Sequence, residues 1–122
     1  MKYVLLFCAD GDDVGRFATM SEAERADQFA RVGAWFAEHR ARITGGQQLA
    51  WPQSATTVRF GADGEPLLTD GPFLEGNEVI GGYAEVEVED LDQALGMAQD
   101  LAAQGRGRGP AGDGVVVRMP RW

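Results

Sequence analysis

The sequence predicts an α+β domain, a split βαβ sheet with both helices on one face, from three observations. Residues 3 to 8, Tyr-Val-Leu-Leu-Phe-Cys, form a continuous apolar run bounded by an Asp/Gly cluster, the pattern of a strand covered on both sides. Two later segments open with helix-start signals at Ser21 and Asp90 and then carry apolar residues at helical spacing. The remaining apolar segments are short, alternate with polar residues and are separated by Gly/Asp turns, as strands are.

The run at residues 3 to 8 should be the central strand, because an edge strand rarely has both faces apolar. Ser21 with Glu24 three residues on is a capping box, and the helix that it opens should reach about Arg40. Its apolar face is read as Phe29, Val32 and Phe36, with Trp35 and His39 on the shoulder. Ile43 to Leu49 follows as a short strand weakened by Gly45 and Gly46, and Trp51-Pro52 breaks it. A hairpin comes next, from Ala55 to Phe60 and from Pro66 to Thr69, joined by the turn Gly61 to Glu65 and closed by Asp70-Gly71-Pro72-Phe73.

Ile80 to Val88 is a long strand with one wet and one dry face, since Glu85, Glu87 and Glu89 alternate with Ala84, Val86 and Val88. Asp90 and Gln93 repeat the capping logic, and Leu91, Ala94, Leu95, Ala98, Leu101 and Ala102 keep the helical period until Gly105. A Gly/Arg loop leads to a last strand at residues 115 to 119. The order β-α-β-hairpin-β-α-β, with no repeat and no linker, is that of a ferredoxin-like sheet in a single domain over residues 1 to 122. Two helices can cover only one side of such a sheet. The strands at 3 to 8 and 115 to 119 are too apolar to face water on the other, so a second copy is the economical cover and a homodimer is expected.

Composition narrows the function. The chain has 122 residues, 44% hydrophobic and 25% charged, and should bury roughly two thirds of its unfolded surface, which leaves little room for a deep internal site. Any pocket would borrow a wall from a partner. A net charge of −8 makes nucleic acid and anionic membrane poor partners. Cys8 is the lone cysteine and reads as a small buried hydrophobe. With no intramolecular disulfide, no signal peptide and no span-length apolar run, the expected location is the cytoplasm.

The segments Ala55-Thr56-Thr57-Val58-Arg59, Thr69-Asp70-Gly71-Pro72-Phe73-x-Glu75, Glu78-x-x-Gly81-Gly82-Tyr83 and Glu89-Asp90-Leu91-Asp92-x-Ala94-Leu95 resemble the YCII-related family, specifically its DGPF-domain branch. The opening Met1-Lys2-Tyr3-Val4-Leu5-Leu6 is similar too. The resemblance implies a dimeric α+β barrel of ferredoxin-like halves. Asn77 departs from the lysine that usually precedes Glu78, and the loop from Gly105 to Gly114 is longer than usual. Some relatives are credited with a His/Asp pair and others are linked with alternative sigma factors, but the His-bearing motif of the former is absent here before residue 39.

Asp70 is the leading catalytic candidate, because a carboxylate at a strand end beside a Pro turn can face a cleft and act as general base. The same aspartate before Gly can serve as a turn staple through its own backbone. Arg59 is a candidate anion anchor, Tyr3, Tyr83 and Phe73 are candidate pocket walls, and Glu78 joins the ligand-binding set; core or solvated-strand roles compete for each of the first four. His39 at a helix end, Asp10 with Asp12 and Asp13, and the Gly105-Arg-Gly-Arg-Gly109 stretch read as ordinary helix-terminal, turn and loop features. One His and one Cys cannot supply the usual zinc ligand set, so neither metal nor cofactor is expected. The leading functional reading is a small-molecule-binding dimer, a cofactor-free isomerase or lyase with Asp70 as base; the alternative is a non-catalytic regulatory or interaction protein associated with an alternative sigma factor system.

Overall fold

The structure, a computed structural model, describes residues 1–10, 19–50, 54–71, 78–103 and 114–121. Its elements run β1 (Lys2–Asp10), α1 (Glu22–Glu38), β2 (Ile43–Gln48), β3 (Thr56–Phe60), β4 (Pro66–Asp70), β5 (Glu78–Glu87), α2 (Leu91–Ala103) and β6 (Gly114–Arg118). Four strands form an antiparallel sheet in the order β2-β5-β1-β6, while β3 and β4 form a separate two-stranded ribbon. This mixed α+β arrangement is compatible with a ferredoxin-like fold. Among the described residues no helix is long and apolar enough to cross a membrane.

Capping chemistry sets where the helices begin. The Ser21 hydroxyl accepts from the Glu24 amide at 3.1 Å while the Glu24 carboxylate accepts from the Ser21 amide at 3.3 Å, the reciprocal pair foreseen in sequence. At the second helix the Asp90 carboxylate accepts from the Gln93 amide at 2.9 Å. Gln93 reaches one residue further back than a capping box requires, to the Glu89 amide at 2.9 Å.

Strand parity then sorts the sheet into two faces. Register places Leu5 opposite Ala84 and Tyr3 opposite Val86, so Tyr3, Leu5, Phe7, Ala84, Val86 and Val88 share a face and are buried there. Trp35 from α1 and Ala94, Met97 and Leu101 from α2 complete the same cluster, which puts both helices on this side. The opposite face carries Leu6, Tyr83, Gln47 and Val116 in one row and Val4, Glu85, Gly45 and Arg118 in the next. Val116 is 41% exposed, so this side is only partly screened within one protomer.

Trp35 departs from its expected place on the shoulder of α1. It is fully buried, stacked edge-on against Phe7 at 5.5 Å and Phe36 at 5.2 Å, and its indole N–H donates to the Met97 carbonyl at 2.8 Å. Phe29, read as a core residue, is instead exposed. What α2 offers suits the indole: the Met97 carbonyl accepts its N–H, and burying an indole without a partner would cost more than burying a phenyl ring.

Gly46 lets β2 approach β5. A Cβ on Gly46 would lie 2.5 Å from the Tyr83 carbonyl oxygen and 2.8 Å from the Ala84 Cα, and its φ of 139° disfavours any other residue. The stretch that seemed weakened by glycine is therefore a strand edge that needs one.

Candidate functional site

The ribbon that holds Asp70 is built from turn chemistry at its tip and hydrogen bonds at its base. At the tip, the Gly61 amide donates to the Glu65 carbonyl and the Gly64 amide to the Gly61 carbonyl, each at 2.9 Å, while the Asp63 carboxylate accepts from the Glu65 amide at 3.1 Å. At the base, the Gly71 amide donates to the Ala55 carbonyl at 2.7 Å, and the Thr57 hydroxyl donates to the Gly71 carbonyl at 2.7 Å. Gly71 has φ of 100°, a turn geometry that glycine adopts without strain. Asp70 is thus fixed at the last paired position of β4, opposite Thr56, with its side chain exposed.

Directly opposed residues of an antiparallel pair share a face. One face of the ribbon therefore presents Asp70, Thr56, Val58, Leu68, Phe60 and Pro66. It is open: Phe60 is 87% exposed and Leu68 73%. The other face carries Arg59, Thr57, Leu67 and Thr69, with Arg59 and Thr57 half-buried. A carboxylate beside a broad apolar patch can remove a proton from a bound molecule whose body packs on that patch. Among the described residues no hydrogen bond ties up the Asp70 carboxylate.

The candidates from sequence do not converge within one protomer. Asp70 and Arg59 lie on opposite faces of the ribbon. Tyr3 is in the helix-side core, whereas Tyr83, half-buried, sits on the far face between Leu6 and Gln47. Glu78 opens β5 opposite Asp10 in the register. Phe73 lies outside the described residues, as do Asp12, Asp13, Trp51, Pro52 and the stretch from 104 to 113.

A second group was missed by reading residues one at a time. His39 caps α1 and its Nε2 lies 3.2 Å from the Asp100 carboxylate on α2, with the ring against Trp35 at 5.2 Å between centroids. The neighbouring Glu38 carboxylate brings three potential ligand atoms within 4.8 Å of one another. The sequence showed His39 at a helix end. No spacing rule connects that position to Asp100, because the pairing depends on how the two helices pack.

Comparison with known proteins places these features in a family. The family model described as the YCII-related domain matches residues 1–108. An uncharacterized protein of Rhizobium meliloti (strain 1021) is 41% identical over 49 residues, a stretch covering 40% of this chain and 39% of that protein's length. Among solved structures, the fold is similar to that of 5-chloro-2-hydroxyhydroquinone dehydrochlorinase from Burkholderia phenoliruptrix AC1100, solved in complex with 2,5-dihydroxybenzoquinone. The TM-score is 0.51 at 16% identity, over 100% of this chain and 93% of that one.

Proposed function

The chain belongs to the YCII-related family, and from that premise we propose that it is a cytoplasmic, small-molecule-binding homodimer, a dimeric α+β barrel that works as a cofactor-free isomerase or lyase with Asp70 as general base. The observation that carries this reading is the ribbon face on which the exposed Asp70 carboxylate stands beside Val58, Leu68 and Phe60. Two unsatisfied apolar surfaces support the pairing: that ribbon face, and the half-covered sheet face with Leu6, Tyr83 and Val116. A second copy covers both and supplies the missing wall of a cleft. Tyr83, on the half-covered sheet face, is offered to that cleft as a wall, whereas Arg59 on the other face of the ribbon and Tyr3 in the helix-side core stand outside it within one copy.

The substrate class is a small carbonyl compound, such as a hydroxylated ring or quinone. The fold likeness to a dehydrochlorinase solved with a dihydroxybenzoquinone favours this class. The Asp70 carboxylate takes a proton from the carbon next to the carbonyl, and the electron pair moves onto the carbonyl oxygen as an enolate. Reprotonation at another carbon is an isomerisation; expulsion of a leaving group from the adjacent carbon is an elimination. A carboxylate becomes a better base as water is withdrawn from it, which the partner's surface would accomplish. The regulatory alternative finds no support in these comparisons.

The test uses the parent protein and Asp70→Asn. Thermal-shift screening against small hydroxyquinones and keto acids should find compounds that stabilise the parent. Asp70→Asn should remain dimeric by light scattering yet lose roughly 10²- to 10⁴-fold in turnover of any converted compound. Unchanged turnover in Asp70→Asn, or a stable parent monomer at micromolar concentration, would sink the reading.

A further inference from the structure

We propose that Glu38, His39 and Asp100 form a binding site for one divalent transition cation of the zinc class, which clasps the C-terminal ends of α1 and α2. Three observations meet there. The His39 side chain is only 10% exposed, and its Nε2 has no hydrogen-bond partner among the described residues. A buried imidazole nitrogen with nothing bonded to it is costly, and it calls for a ligand. The Asp100 oxygen at 3.2 Å is near enough for a hydrogen bond but lies off the line that an N–H···O bond needs.

That separation suits a shared ion better than a shared proton. Zinc–nitrogen and zinc–oxygen bonds of about 2.0–2.2 Å place two ligands of one ion roughly 2.9 Å apart at a right angle and roughly 3.4 Å apart at a tetrahedral one. The 3.2 Å between Nε2 and Oδ2 falls between these. The exposed Glu38 carboxylate lies in the same group, whose ligand atoms are all within 4.8 Å of one another, and would swing inward to reach a shared ion; the Asp100 side chain, 53% exposed, leaves a mouth for entry and for water to finish the shell.

Imidazole with two carboxylates selects zinc, cobalt or nickel over magnesium and calcium. It lies outside the expectation from composition, in which one His and one Cys spoke against any metal, because here carboxylates from two helices join the single His. The helices are already registered for it, since Trp35 bonds to Met97 one turn before His39 meets Asp100. An ion there would tie the two helices together at a point where the protein alone leaves a donor unused. The site shares no residue with the proposed Asp70 cleft and stands or falls separately.

The experiment titrates zinc chloride into tag-free protein, freed of metal with a chelator, by isothermal calorimetry at neutral pH. One saturable site per chain is expected, weakened at least about tenfold by Asp100→Asn and by His39→Gln. Zinc should raise the melting temperature of the parent and leave that of Asp100→Asn nearly unchanged. Cobalt bound at the same site should give visible absorption bands that neither variant shows. Absence of a saturable site up to millimolar zinc, or equal binding by both variants, overturns the proposal. Should His39→Gln fail to fold, Asp100→Asn alone decides, because its half-exposed carboxylate can be replaced without opening the core.

Discussion

The helix-backed core and the β3–β4 ribbon use much the same residue types and treat them in opposite ways. In the core, Leu5, Trp35, Ala84 and Ala94 have no exposed surface at all. In the ribbon, Val58, Phe60, Leu67 and Leu68 are each at least half exposed, although the backbone around them is regularly paired. Apolar side chains stabilise a fold only by what they are removed from water against. Folding stability therefore belongs to the core. The ribbon holds unspent apolar surface, whose natural use is association, and it places Asp70 at the margin of that surface.

The largest test of this contrast is Trp35→Ala, which should cost about 4 kcal/mol by urea denaturation because it empties a fully buried site and removes the bond from the indole N–H to the Met97 carbonyl. A sharper one makes the same truncation in both regions. Leu5→Ala should cost about 3 kcal/mol, and a value below about 1 kcal/mol would mean that the core is looser than its burial implies. Gly46→Ala should cost about 2 kcal/mol, since its Cβ would meet backbone atoms that cannot rotate away. Leu68→Ala, 73% exposed, should change unfolding by less than about 0.5 kcal/mol. The comparison breaks if that last variant also leaves the dissociation constant of the proposed dimer, measured by analytical ultracentrifugation, as it is in the parent.

Local pattern was legible wherever one residue type has one physical use. The capping box at Ser21 and Glu24, the alternation along β5 and the hairpin ends at Phe60 and Pro66 were read from sequence and stand in the structure. The strand of residues 3 to 8 was expected at the centre of its sheet and lies there, between β5 and β6. Helix rotation was less legible. Phe29 and Trp35 lie roughly 120° apart around α1, and periodicity did not show which of them is buried; in the structure it is Trp35, whose N–H donates to the Met97 carbonyl.

The candidate site was legible only in its parts. Asp70 was found at its strand end, but spacing along a chain says nothing about which face of a ribbon meets which face of a sheet. Arg59 consequently turned out to look away from Asp70, and Tyr3 and Tyr83 fell on opposite sides of the same sheet through parity alone.

By itself the sequence determined the order of elements, the helix starts, the dry side of β5 and the presence of more apolar strand surface than two helices can hide. These follow from interactions between near neighbours and from counting. Tertiary structure alone decided that Trp35 is the centre of the core, that Gly46 is a close-approach point, and that His39 meets Asp100. Each of those depends on distant segments brought to within a few ångströms, where a single carbonyl, backbone atom or carboxylate selects one packing from several that the local pattern would allow equally well.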